Sequence, residues 1–144
     1  MEHQIRHLKD TDYDAVVALW SAAGLTYRPK GRDSREAMTA EFARAETCFL
    51  GMFEGETMIA VVVGTSDGRK GWINRLAVHP DYRGRGLALR LIKAAEDFLH
   101  GLGIKVISVL IEDWNTPSLS AFKKAGYDFF DDIVYGSKRS SRDD

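Results

Sequence analysis

Four consecutive residues, Arg83-Gly84-Arg85-Gly86, set two guanidinium groups and two glycines just ahead of a run with helical period. That combination suits an anion. Glycine lets successive backbone N–H groups turn into one concavity, and a helix N-terminus adds positive potential at the same place. Arg83 and Arg85 can add charge-assisted hydrogen bonds to phosphate oxygens. A tight turn with two solvated arginines has the same composition, so the glycine pair alone leaves both readings open. Two nucleotide fingerprints fail here. A dinucleotide loop would place its third glycine at Leu89, and no Gly-Lys-Ser/Thr ending is present.

Other residues with chemical capability are scattered. Glu112 and Asp113 end a strand-like run and can accept a proton, although solvated carboxylates at a strand end look the same in sequence. His79 precedes Pro80 and reads as a turn residue, while Tyr127 reads as packing. Arg28, Lys30 and Arg32 form a basic connection that either binds an anionic group or is merely solvated. Trp20 and Trp114 fit core packing, with an apolar wall as the alternative. The single cysteine, Cys48, sits in the apolar run Cys48-Phe49-Leu50 and reads as a packing thiol.

These residues need a scaffold, and the chain is long enough to provide one. Its 144 residues fit one domain, expected to span 1–144 with a frayed tail over 137–144. The 20 Lys and Arg nearly balance 21 Asp and Glu, which gives no general attraction to nucleic acid or membrane. One cysteine excludes an intrachain disulfide. With no signal-like or long apolar run, the expected location is cytoplasmic.

Periodicity sets out the elements. Gln4 to Leu8 reads as a strand, and Asp10 or Thr11 can cap a helix striped by Val16, Leu19, Trp20 and Ala23. Asp33 with Glu36 resembles a capping box opening a second helix. Thr47 to Phe53 and Thr57 to Thr65 read as a hairpin around Glu54-Gly55-Glu56. Val61-Val62-Val63 suits a strand buried on both faces. Trp72 to Val78 is the next strand, Gly86 to Leu99 a helix, and Lys105 to Glu112 a strand. A short helix covers Ser118 to Lys124, and Asp128 to Gly136 reads as one or two final strands. The order implies an α/β sandwich of mixed pairing.

The wording around the glycines narrows the reading. Leu76-Ala77-Val78-His79-Pro80-Asp81-Tyr82-Arg83-Gly84-Arg85-Gly86-Leu87-Ala88 resembles the coenzyme signature of the GNAT family of N-acetyltransferases, Arg/Gln-x-x-Gly-x-Gly/Ala. Arg83, Gly86 and Ala88 fill its three defining positions. Asn115 and the ending Phe122-Lys123-Lys124-Ala125-Gly126-Tyr127 extend the likeness. The resemblance implies a mixed, mostly antiparallel sheet of roughly six to seven strands flanked by about four helices. It also implies a cleft where Leu76-Ala77-Val78 splays from the following strand. Leu76 and Val78 would pair with the pantetheine arm, the backbone of Gly84, Arg85, Gly86, Leu87 and Ala88 would hold the pyrophosphate, and Asn115 and Phe122 would complete the coenzyme site.

The sequence departs from the family at two catalytic positions. The usual tyrosine proton donor, seven residues after the asparagine, is Phe122. The usual glutamate on the fourth strand is Asn74, which can orient water but cannot act as a base. Asn74 and Glu112 are therefore the catalytic candidates. The expected function is direct transfer of acetyl from acetyl-CoA to a primary amine of a small molecule or peptide N-terminus, without a metal. A non-catalytic acyl-CoA sensor is the alternative, and a homodimer is compatible with either.

Overall fold

The computed structural model describes residues 3–144. Five strands form one sheet in the order β1-β2-β3-β4-β5: β1 (Gln4–His7), β2 (Cys48–Glu54), β3 (Thr57–Ser66), β4 (Lys70–Val78) and β5 (Val106–Val109). The first four pair antiparallel, and β5 joins β4 in parallel. Four helices flank the sheet: α1 (Tyr13–Ala22), α2 (Arg35–Phe42), α3 (Leu87–Gly101) and α4 (Thr116–Lys124). The fold class is the expected one, with five strands in place of six to seven.

Alternating side chains give the sheet two buried faces, as a strand period of two requires. Leu50, Met52 and Val62 pack against Leu91, Ala95 and Leu99 of α3. Phe49, Val61 and Val63 pack against Val16, Leu19 and Trp20 of α1 and Met38 of α2. The Val61–Val63 run is buried on both faces, as its continuous β-branched character predicts. Cys48 is also fully buried, and burial pushes its thiol up to about 11. It is a packing residue.

The start of the first helix differs from its sequence reading. Asp10–Asp12 forms a 3-10 turn, and the buried Asp12 carboxylate accepts from the Lys9 N–H (3.0 Å) and, in two-pronged fashion, from Arg6 (2.9 and 3.0 Å). Those bonds hold its carboxyl below the usual range, Arg6 contributing most. At α2, Ser34 caps the helix by accepting from the Ala37 N–H (3.1 Å). Asp33, read as the cap, turns inward instead.

The C-terminal segment corrects the strand count. Residues 128–136 form no strand, and Phe130, Ile133, Val134 and Tyr135 are exposed. Asp128, Asp131 and Asp132 break the apolar alternation, leaving runs too short for propensity alone to offset the entropy of ordering. The following tail returns to the α1–α2 connection, where the Arg28 guanidinium donates to the Arg142 carbonyl (3.2 Å).

Candidate active site

The cleft begins as a defect in β4. Val61 pairs with Ala77 and Val63 with Asn74, so Arg75 and Leu76 together oppose Val62. This is a β-bulge, which bends the strand and sharpens its twist. Arg75 takes the left-handed conformation (φ 56°), alone among the described non-glycine residues. β5 pairs only with Lys70 to Ile73, so β4 continues past its neighbour from Asn74 onward. The His79 N–H donates to the Ile59 carbonyl (2.8 Å), toward β3. By antiparallel alternation Ala77 also faces β3, while Leu76 and Val78 turn their N–H and C=O groups to the open side.

The strand leads into the glycine loop. His79 caps a 3-10 turn over Pro80–Tyr82, its ring nitrogen accepting from the Asp81 N–H (3.1 Å). Gly84 and Gly86 then adopt φ values of 79° and 75°, which favour glycine, and a Cβ at either would meet open space. The first bond of α3 runs from the Arg90 N–H to the Gly86 carbonyl (3.4 Å). The amides from Gly84 to Ala88 are therefore left without an acceptor among the described residues, at the positive end of a fifteen-residue helix. This is a cradle for anionic oxygens built from main chain.

The arginines divide their roles. Arg83 is exposed and lines the cleft. Arg85 turns aside, placing its guanidinium over the Tyr82 ring (4.9 Å) and donating to the Asp81 carbonyl (3.4 Å). Tyr82 is itself anchored, its hydroxyl donating to Glu54 (3.2 Å) while His3 meets the other Glu54 oxygen (3.0 Å). Those contacts, His3 first, keep the Glu54 carboxyl below its ordinary value. Sequence reasoning did not find this support, because Glu54 lies in a hairpin 28 residues away.

Leu25, Leu76, Val78, Gly86, Asn115 and Ala121 form much of the cleft wall. Asn115 serves twice: it lines the cleft and caps α4, its side-chain oxygen accepting from the Ser118 N–H (3.4 Å). Phe122 departs from its expected place on the coenzyme site. It is 2% exposed and packs edge-on against Tyr127 in the core, beside the cleft-lining Ala121. Tyr127 in turn donates its hydroxyl to Glu96 (2.7 Å), and burial followed by that bond raises its pKa. It is spoken for.

The two catalytic candidates lie outside the cleft wall. Asn74 is half-buried on the sheet face that carries Trp72 and Ala77. Glu112 is exposed beyond the end of β5 and accepts a hydrogen bond from the Trp114 indole. Trp114 is 52% exposed, so of the two tryptophans read as packing only Trp20, at 1%, is in the core.

Sequence reasoning also missed Arg75 and Asp33. Arg75 lies over the Trp20 ring (4.2 Å) and donates to the Thr26 carbonyl and to Asp33 Oδ2 (3.0 Å). Burial lowers its pKa, and Asp33 opposes that shift.

A sheet splayed beyond a bulged fourth strand, opening onto an amide cradle, now stands beside the comparisons with known proteins. Residues 7–127 match the family model described as the acetyltransferase (GNAT) family. The chain belongs to that family and is an acetyl-CoA-dependent acyltransferase. It is 30% identical over 135 residues to an acetyltransferase of Yersinia pestis (strain Pestoides F), covering 94% of each chain. Its fold resembles the PaiA N-acetyltransferase of Thermoplasma acidophilum in complex with coenzyme A, with a TM-score of 0.78, 22% identity, and 92% of this chain and 94% of that one covered. It also resembles AAC(6')-Iy in complex with the bisubstrate analogue CoA-S-monomethyl-acetylneamine, with a TM-score of 0.79, 16% identity and coverage of 96% and 99%. Among the described residues no helix is long and apolar enough to cross a membrane, and no group of His, Cys, Asp and Glu could hold a metal.

Proposed function

We propose that the protein transfers the acetyl group of acetyl-CoA directly to a primary amine, carried by a small molecule or a peptide. The observation that supports this reading most is continuity. Open backbone groups at Leu76 and Val78 lead, across the 3-10 turn of Pro80–Tyr82, to the unpaired amides of Gly84 to Ala88. A pantetheine arm is itself a chain of amides and would add to β4 as a strand adds to an edge. Its pyrophosphate would then reach the cradle, with Arg83 adding charge and Asn115 contacting the arm from the facing helix. That the Thermoplasma protein was solved with coenzyme A, and AAC(6')-Iy with a CoA-containing bisubstrate analogue, supports a coenzyme as the ligand.

Transfer requires the amine lone pair to attack the thioester carbonyl carbon, the C–S bond to break, and the thiolate to gain a proton. Backbone N–H from the open edge of β4 can polarise the carbonyl oxygen as negative charge develops there. Phe122 supplies no proton, and Tyr127 is bound to Glu96. Water is the proton source this arrangement leaves for the thiolate. The amine gives its proton to solvent water.

The test incubates the protein with acetyl-CoA and a panel of polyamines, amino acids, peptides and aminoglycosides, following free thiol release. Amine-dependent release with one acetyl group on the product supports transfer. Saturable acetyl-CoA binding without release across the panel would instead assign the chain to acyl-CoA sensing.

A further inference from the structure

We propose that Arg75 is a positioning residue, a side-chain latch that ties the bulge of β4 to the 26–33 connection and so couples the coenzyme cleft to the basic loop that carries Arg28, Lys30 and Arg32. The proposal rests on the reading of the cleft as the coenzyme site. Its starting point is the backbone. An L-residue rarely holds φ near 56°, and where one does the surrounding contacts must over-determine it. Glycine would fit position 75 without strain, so what arginine adds is its side chain.

That side chain is held on every side. The guanidinium lies over the Trp20 ring at 4.2 Å, with one nitrogen on the Thr26 carbonyl and another 3.0 Å from Asp33 Oδ2. Asp33 is nearly buried, and the same carboxylate oxygen accepts from the Arg28 N–H at 2.7 Å. The Asp33 carbonyl accepts from the Tyr13 hydroxyl at 2.6 Å, and its N–H reaches the Arg28 carbonyl at 3.1 Å. The connection from Thr26 to Asp33 is thus closed on itself through Asp33, and Arg75 is the side chain that fastens it to the sheet.

Both ends of this latch border the cleft. Leu76, the next residue along β4, offers its backbone to the open side, and Ala23 and Leu25 line the cleft just before the connection begins. Pairing of a ligand with β4 stiffens the bulge, which in turn fixes Arg75 and the loop it holds. Arg28, Lys30 and Arg32 ride on that loop, so its position sets where those cations lie relative to the cleft.

The experiment measures amide hydrogen exchange with and without acetyl-CoA in the wild-type chain and in Arg75→Gly, Arg75→Lys and Asp33→Asn, alongside acetyl-CoA affinity by calorimetry. In the wild type, acetyl-CoA should slow exchange between Thr26 and Asp33 although it does not extend over that whole segment. Arg75→Gly should exchange there about tenfold faster and lose the coenzyme-dependent protection. Its acetyl-CoA affinity should fall by no more than the coenzyme-dependent protection that is lost, since coupling is reciprocal and the main-chain cradle is untouched. Arg75→Lys keeps the charge but cannot reach Thr26 and Asp33 together, so it should fall between. Asp33→Asn should reproduce the effect from the other end. Unchanged exchange over 26–33 in Arg75→Gly overturns the latch, as does faster exchange spread evenly over the whole chain. Failure of the wild type to bind acetyl-CoA overturns the coenzyme reading itself.

Discussion

The glycine-loop side of the cleft and the Arg75 side are built on different principles. The glycine-loop side is main chain: an unpaired strand edge, two glycines with positive φ and a helix N-terminus. The Arg75 side is side chain: Arg75, Asp33, Tyr13 and Trp20 interlocked across separations of up to 55 residues. A backbone site depends on local shape, whereas a side-chain site depends on which residues tertiary structure brings together. The first is written in a short stretch of chain, and the second only in the folded whole.

The largest effect expected from this contrast lies in the cradle. Gly86→Trp forces an L-residue into the left-handed region, at about 1–2 kcal/mol, and puts an indole where the amides converge. Acetyl-CoA affinity should fall by about 100-fold or more, roughly 2.7 kcal/mol, measured by calorimetry. Affinity close to wild type would dissolve the distinction by removing the main-chain site.

A second prediction concerns the sheet beneath both sides. The Cys48 thiol, raised by burial to about 11 from an ordinary 9.0, remains protonated in the folded chain while the unfolded chain ionises. Stability from this group is complete below pH 9.0 and is lost as pH rises toward about 11. The loss should be on the order of 2 kcal/mol in urea unfolding, and Cys48→Ala should remove that pH slope. A slope unchanged in Cys48→Ala would show the thiol is not its source.

At Asn115 the two principles meet, since one side chain both caps α4 and lines the cleft. Asn115→Ala should cost about 1 kcal/mol of stability through the lost cap, and Asn115→Ser should restore the cap but not the contact with the coenzyme arm. Equal acetyl-CoA affinity in both variants and the wild type would leave Asn115 a capping residue alone. The smallest effect is expected at Glu112, exposed and bonded to Trp114. Glu112→Gln keeps an acceptor for the indole, and turnover should change less than about threefold. A much larger drop would restore Glu112 as the base.

The same contrast governs what was legible in the sequence. Gly84 and Gly86 announce a cradle because the residue type reports the dihedral it needs, and Val61–Val63 announces burial because the run reports its environment. Arg75 carries no such mark. Its function depends on a bulge and on partners far along the chain, and neither follows from local composition. Phe122 shows that a motif position does not report burial, since its ring lies in the core beside the cleft-lining Ala121. Asp33 missed the cap by one residue because serine beside it competes for the same place. The segment 128–136 has strand-forming residues without a strand, because propensity cannot supply a pairing partner.

The open edge of β4 has a mechanical consequence. From Asn74 onward the sheet is one strand short on that side, and the proposed coenzyme arm would complete it. The donor would then act as a removable structural member, bracing β4 against β5 and α4 while present and returning the gap when it leaves. Melting temperature should therefore rise with acetyl-CoA concentration and fall back as the product departs, so that each turnover cycles the enzyme between a braced and an unbraced frame.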